Sequence, residues 1–90
     1  MAAYLIGYDL HKMGQRYEAL KAIIERLYPG WWHCLDSTYI IKTGLTAMQV
    51  RDTLNPALDG NDVLLVIPVG SAWAARNLPQ NCVDWLNQNL

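Results

Sequence analysis

The sequence predicts an α+β domain in which helices pack on one face of a four-stranded antiparallel sheet and a further helix follows at the C-terminus. Three observations predict it. Apolar residues alternate with a period of two in four short segments, they recur at helical spacing in three others, and Gly or Pro residues separate many of these segments. A chain of 90 residues, 52% of them hydrophobic, can bury one core, so residues 1–90 are expected to form a single domain.

The first half of the chain predicts a strand, a helix and a hairpin. The first strand is an apolar run that ends abruptly at Asp9. Pro29 and the glycine after it stop the helix that follows. Asp36 and Ser37 form a two-residue loop suited to a tight hairpin. The predicted elements are a strand at 3–9, a helix at 15–27 and strands at 31–35 and 38–43.

The second half predicts a helix, a strand and a terminal helix. The hydroxyl of Thr46 can cap the first of these helices, and Gln49 three residues later completes a capping box. Pro56 is expected to kink or end that helix. The continuously apolar run from Val63 to Ile67 predicts a strand inside the sheet. The predicted elements are a helix from Thr46, a strand at 62–69, an irregular segment at 70–78 and a short helix opened by Pro79.

The first six elements follow the βαββαβ order of the ferredoxin-like fold. In that fold the strand order is 4-1-3-2 and all neighbouring strands are antiparallel. Asp9, the Asp36-Ser37 turn and the loop at 59–62 are therefore expected at one end of the sheet. Apolar residues on the face opposite the two helices, such as Leu5 and Ile40, need a cover, which a homodimer or the terminal helix would supply.

Charge and cysteine content restrict the classes of function. Seven basic against eight acidic residues give a net charge of -1, without the basic excess typical of nonspecific nucleic-acid binding. Cys34 and Cys82 have no short spacing and are typical of reduced core cysteines, in preference to a disulfide or a metal pair. The N-terminus lacks a basic segment and its apolar run is broken at Asp9. We therefore expect a cytoplasmic protein without a signal peptide or a membrane span.

Three residues are candidates for catalysis. Asp9, at the end of an apolar strand, is placed as a metal ligand or general base, and it is equally suited to cap a turn through its own backbone. His11 follows in the next loop, at a position for an acid-base catalyst, where a solvated histidine is the alternative. His33 lies between aromatic neighbours on a strand, which favours a packed or hydrogen-bonded ring over a catalyst.

Aromatic and basic residues are candidates for binding. Trp31 and Trp32 can stack on nucleobases or pack in a core or dimer contact, and they point in opposite directions because strand side chains alternate. Candidate nucleic-acid contacts are Lys12, Arg16, Ser37 and Lys42. An ordinary solvated surface explains the three basic residues equally well.

Three stretches of the chain resemble the small bacterial and phage proteins called SinR-like. They are Tyr-Leu-Ile-Gly-Tyr-Asp-Leu with the following His-Lys-Met-Gly-Gln-Arg-Tyr at 4–17, Trp-Trp-His-Cys-Leu-Asp-Ser-Thr-Tyr-Ile-Ile-Lys-Thr at 31–43 and Leu-Asp-Gly-Asn-Asp-Val-Leu-Leu-Val at 58–66. These proteins are in turn remotely similar to the ferredoxin-like adaptation subunit of CRISPR systems and to the GhoS antitoxin endoribonuclease. Tyr8-Asp9 and the Ser37-Thr38-Tyr39 pattern carry that second similarity.

The resemblance implies a function in defence or in toxin–antitoxin systems. In the CRISPR subunit a pair of aspartates faces itself across a dimer and binds a divalent metal, which would make Asp9 a Mg²⁺ ligand in a homodimer. Asp9 and His11 would then be the catalytic residues of an endoribonuclease acting on RNA, with DNA as another substrate. The chain lacks the basic residues that accompany the motif. The alternative is a non-catalytic dimeric binding or regulatory module on the same fold.

Overall fold

The computed structural model of the chain describes residues 1–10 and 15–90, with side chains for residues 1–10 and 17–90. The predicted order of elements is confirmed, and the strand boundaries move by at most one residue. No helix in the described part of the chain is both long and apolar enough to cross a membrane. The elements are β1 (Ala2–Asp9), α1 (Gln15–Leu27), β2 (Trp32–Leu35), β3 (Thr38–Thr43), α2 (Ala47–Leu54), β4 (Val63–Val69) and α3 (Gln80–Asn89).

Local signals set the ends of several elements. The Oγ1 of Thr46 accepts a hydrogen bond from the Gln49 amide at 3.2 Å, and the Gln49 side chain accepts one from the Thr46 amide at 2.9 Å. This is the predicted capping box. α2 ends at Leu54, and Pro56 lies in the single 3₁₀ turn that follows. Ser37 has a φ of 57°, the left-handed conformation that the two-residue turn between β2 and β3 requires.

The sheet has the order β2-β3-β1-β4 with all neighbours antiparallel, which is the predicted order 4-1-3-2 counted from the other edge. Gly7 lies opposite Thr38, and Asp9 lies opposite Val63. The β2–β3 turn and the loop before β4 therefore lie at the same end of the sheet as Asp9. The predicted convergence of the three acidic segments is confirmed.

The main core lies between the sheet and the helices α1 and α2. Its fully buried members come from all of these elements, because residues two apart on a strand and three or four apart on a helix share a face. The largest are Ile6, Leu20, Ile24, Tyr39, Ile41, Val50 and Leu54.

α3 covers part of the opposite face of the sheet. Trp32, Ile40, Cys82 and Leu86 form a second buried cluster there, and the Trp32 indole Nε1 donates to the Cys82 carbonyl at 3.1 Å. A disulfide joins Cys34 on β2 to Cys82 on α3. The prediction of two reduced cysteines is wrong, because the fold brings together residues 48 positions apart. Sequence spacing alone does not reveal such a pair.

β4 is an edge strand, so the prediction that its apolar run lies inside the sheet is wrong. Within residues 1–10 and 15–90, β1 is the only strand that pairs with it. Val63, Leu65 and Ile67 retain 56%, 55% and 39% of their accessible surface. A continuous apolar run is typical of a strand that has a neighbouring strand at each edge and is buried on both faces. Here the run belongs to a strand that has one neighbouring strand and one incompletely covered face.

Candidate functional site

A groove opens between α1 and the β2–β3 hairpin, at the end of the sheet where Asp9 lies. Its volume is about 320 Å³, and we call it the hairpin groove. The face of α1 supplies two side chains one helical turn apart, β1 supplies one, and the hairpin supplies three. The lining residues are Tyr8, Tyr17, Lys21, His33, Asp36 and Ser37.

An aromatic stack holds His33 in place at the groove. Its imidazole lies parallel to the ring of Tyr39, with 3.9 Å between centroids and 1° between planes. Nδ1 lies 2.8 Å from the Thr38 carbonyl oxygen. Because a carbonyl oxygen only accepts, Nδ1 carries the hydrogen, and Nε2 of the neutral ring is left as an acceptor. Tyr39 is fully buried beneath one face of the imidazole, so the partial exposure of His33 is on the side away from that ring.

Two further tyrosines extend this aromatic surface. The rings of Tyr8 and Tyr17 meet edge to face, with centroids 5.8 Å apart. Burial raises the pKa of Tyr8 to about 12, and the nearby Tyr17 and Asp36 act in the same direction. The Tyr8 hydroxyl is therefore protonated at neutral pH and available as a donor.

Tyr39 also anchors the stack to α1. Its hydroxyl donates to the Glu25 carboxylate at 2.9 Å. Burial raises the pKa of Tyr39, and the hydrogen bond to Glu25 adds to that effect, so this tyrosine too stays neutral. The stack is thus held by hydrogen bonds at both of its rings, to Glu25 and to Thr38.

Among the described residues, the groove carries one positive and one negative side chain, Lys21 and Asp36. Such a lining does not attract a polyanion by charge excess. It suits a flat, largely neutral ring that bears one anionic group within reach of the lysine. Ser37 and the Tyr8 hydroxyl add neutral hydrogen-bonding groups.

The structure separates the predicted binding residues. Ser37 lines the hairpin groove, and Asp9 is exposed at the same end of the sheet. Lys42 lies at the opposite end of β3, paired with Ala3, and lines a different cavity beside Tyr28. His11, Lys12 and the side chain of Arg16 lie outside the described residues.

The two tryptophans have the opposite orientations that strand alternation predicts. Trp32 is 4% exposed under α3 and is a core residue, not a surface for stacking. Trp31 retains 38% of its surface and contacts Tyr39 edge to face at 5.8 Å. Of the pair, Trp31 alone has ring surface free for a ligand, and it lies on the same aromatic cluster as His33.

The described residues contain no group of three or more His, Cys, Asp or Glu side chains that could hold a metal ion. In the loop before β4, the Asp59 amide donates to the Asp62 carboxylate at 2.8 Å, and the Asp62 amide donates to the Asp59 carbonyl at 3.1 Å. These contacts are those of an acidic turn. Asp9 therefore belongs to no such group within the described part of the chain.

Sequence reasoning missed two residues of the groove, Tyr17 and Lys21. Tyr17 matched the apolar stripe of α1, and Lys21 matched its solvated face, so neither stood out. The signal available was their spacing of four residues, which places both on one side of the helix beside the strand end that carries Tyr8.

Comparison of the chain with protein-family models, curated proteins and solved structures gives no significant match. The similarity to SinR-like proteins stays a prediction. Function is therefore inferred from the geometry and chemistry of the hairpin groove.

Proposed function

We propose that this chain is a small nucleic-acid-associated binding module on a ferredoxin-like fold, and that it holds an unpaired base of single-stranded RNA in the hairpin groove. One observation carries the proposal. His33 is fixed flat on Tyr39 and lines a groove that also contains Tyr8, Tyr17 and a lysine. Fixed aromatic rings beside a cation are the usual means of binding single strands.

Each part of the groove has a counterpart in a nucleotide. A base stacks on aromatic side chains whatever its sequence, and the exposed edge of Trp31 extends the aromatic surface outward. The Lys21 ammonium pairs with one phosphate. The Asp36 carboxylate accepts a hydrogen bond from an exocyclic amino group or from the ribose 2′-hydroxyl, and the latter distinguishes RNA from DNA.

The charge of the chain limits this binding to a short contact. With a net charge of -1 and one lysine among the described residues that line the groove, the protein neutralises about one phosphate. The logarithm of the binding constant then falls with the logarithm of the salt concentration with a slope of about -0.7. Stacking, at about 1–3 kcal/mol per base, then supplies most of the binding free energy.

Replacing the groove lysine is expected to weaken binding selectively. Lys21→Ala should raise the Kd for a short single-stranded RNA up to about fivefold, because an exposed ion pair contributes up to about 1 kcal/mol. Lys42→Ala is the matched control, since it removes the same charge at the other end of β3. Fluorescence anisotropy of a labelled oligonucleotide measures both.

The two lysine variants separate groove binding from general electrostatics. Equal losses from both would mean that overall charge governs binding, which contradicts the groove. Tyr17→Leu keeps the apolar volume and removes the ring. It should raise the Kd for the RNA at least as much as Lys21→Ala does. If Tyr17→Leu binds like the wild type, stacking in the groove is excluded.

A metal-dependent endoribonuclease is the second candidate function. Asp9 favours it, because this exposed carboxylate adjoins Tyr8 of the hairpin groove. One chain offers too few described ligands for Mg²⁺ at Asp9, so the site would need Asp9 of a second subunit. The nuclease candidate therefore requires a homodimer. It also implies a cytoplasmic location, where the Cys34–Cys82 disulfide must escape reduction.

The nuclease candidate has a direct test. Asp9→Asn should abolish cleavage of RNA in the presence of Mg²⁺ or Mn²⁺ and leave the melting temperature nearly unchanged, because Asn keeps the shape of the side chain and removes its charge. Gel analysis of a labelled RNA measures cleavage. A variant as active as the wild type would exclude Asp9 as the metal ligand. A wild type that cuts neither RNA nor DNA would exclude the nuclease, and the binding module would be the remaining function.

A further inference from the structure

The free edge of β4 is unusually well suited to strand pairing. The seven residues from Val63 to Val69 carry no charge, although charged side chains are the common protection of an edge strand. Val63, Leu65 and Ile67 are exposed, and they lie on the α3 side of the sheet because Ile67 pairs with Leu5. β4 thus combines a neutral edge with a strip of three exposed apolar side chains.

The register shows which backbone groups β4 presents at this edge. The Tyr8 amide donates to the Ser37 carbonyl at 3.1 Å, so Tyr8 points its backbone groups away from β4. Because these groups alternate along a strand, the neighbouring residues of β1 point theirs toward β4. Their partners on β4 are Val63, Leu65, Ile67 and Val69, so Leu64, Val66 and Pro68 face outward.

Two features leave Leu64 and Val66 as the outward donors of β4. Pro68 has no amide hydrogen, and an outward-facing position on an edge strand is the usual place for proline in a sheet. Asp62, just before the strand, already donates its amide to Asp59 at 3.1 Å. A pairing strand therefore meets two donors with a blocked position on each side, and only some registers satisfy that pattern.

We propose that the β4 edge binds a second copy of this chain, antiparallel and about a two-fold axis at Leu65. Leu64 of each copy then lies opposite Val66 of the other, and the two pairs exchange four hydrogen bonds. Pro68 falls opposite Asp62, so two positions with no free amide face each other. The pairing joins the two sheets into one of eight strands.

The same register pairs the exposed side chains. Leu65 meets its symmetry mate on the axis, at a Cα separation of about 4.5 Å for a pair without direct hydrogen bonds. Val63 of each copy meets Ile67 of the other. On the α2 side, Met48 is 63% exposed and lines a groove of about 280 Å³ with Leu64, Val66 and Arg51. This groove adds apolar surface along the edge beside one cation, which is paired with Asp52 on the same helix.

The area available is what a specific dimer needs. Seven residues at about 3.4 Å each span about 24 Å. If the contact is as wide as the smallest extent of the molecule, 20 Å, this gives at most about 500 Å² per copy and about 1,000 Å² in total. That total meets the lower bound of about 1,000 Å² for a specific interface. A two-fold contact also uses one self-complementary surface, which β4 provides. The hairpin groove, beside β2 and β3, stays accessible.

A charge at the axis tests the interface. Leu65→Lys brings two ammonium groups together and should raise the dimer Kd at least tenfold. Leu35→Lys is the matched control, because Leu35 is also an exposed leucine, at 52%, but lies on the opposite edge strand. Sedimentation equilibrium up to millimolar concentration should show the wild type and Leu35→Lys approaching twice the 10.2 kDa mass of one chain.

Two further measurements identify the edge itself. Mixing Leu65→Lys with Leu65→Glu should restore dimers, which a misfolded variant cannot do. Amide hydrogen exchange of Leu64 and Val66 should slow as the wild-type concentration rises, because only strand pairing at this edge protects those amides. A wild type that stays monomeric, equal losses from Leu65→Lys and Leu35→Lys, or a dimer that leaves both amides unprotected would overturn the proposal.

Discussion

Removing the disulfide between Cys34 and Cys82 is expected to lower the free energy of unfolding by about 4 kcal/mol. The bond closes a loop with a sequence separation of 48 residues, and a crosslink of that length restricts the unfolded chain by about that amount. It also ties α3 to β2, so reduction weakens the cover of the second cluster. Urea denaturation with and without a reductant measures the difference.

A variant without the bond is the control for this experiment. The double substitution Cys34→Ala and Cys82→Ala should unfold near the midpoint of the reduced wild type and should not respond to the reductant. If the reduced wild type, with both thiols shown to be free, unfolds at the same urea midpoint as the oxidised protein, the bond does not constrain the chain. Thiol alkylation of protein taken directly from cells shows whether the bond forms there.

Truncating the buried tryptophan is expected to cost about 3–5 kcal/mol of stability, the usual range for large aromatic residues. Trp32 is 4% exposed and its indole donates to the Cys82 carbonyl, so Trp32→Ala leaves a cavity and removes that hydrogen bond. Trp31→Ala removes one edge-to-face contact with Tyr39 and should cost about 1 kcal/mol. Denaturation midpoints of the two variants measure this contrast.

The neighbouring tryptophans thus act as each other's control. Trp31→Ala should instead weaken RNA binding, since its partly exposed ring contacts Tyr39, on which His33 of the hairpin groove stacks. Equal and large losses of stability from both variants would contradict the placement of Trp31 at the surface.

Signals within a few residues of each other were sufficient to predict most of the fold. Thr46 and Gln49 fixed the start of α2, and Pro56 fixed its end. The Asp36-Ser37 dipeptide fixed the hairpin. In each case a side chain or a ring determines the local backbone directly, so the signal does not depend on contacts with distant residues.

Features that depend on distant contacts could not be predicted in the same way. The disulfide requires α3 to dock on β2, and no pattern near Cys34 records that docking. The edge position of β4 was implied by the order of strands, whereas its uniform apolar run indicated the opposite. Tyr17 and Lys21 contribute to a groove only because α1 crosses the sheet beside the hairpin.

The central proposal, that the hairpin groove binds single-stranded RNA, is tested most directly by residue-resolved NMR during titration with a short unstructured RNA. The amides and side chains that line the groove should shift together, with the largest changes at Tyr17, Lys21 and His33. Lys42 and the exposed residues of β4 should not move. Shifts that are absent at saturating RNA, or that centre on Lys42 at the other end of the sheet, would contradict the proposed function.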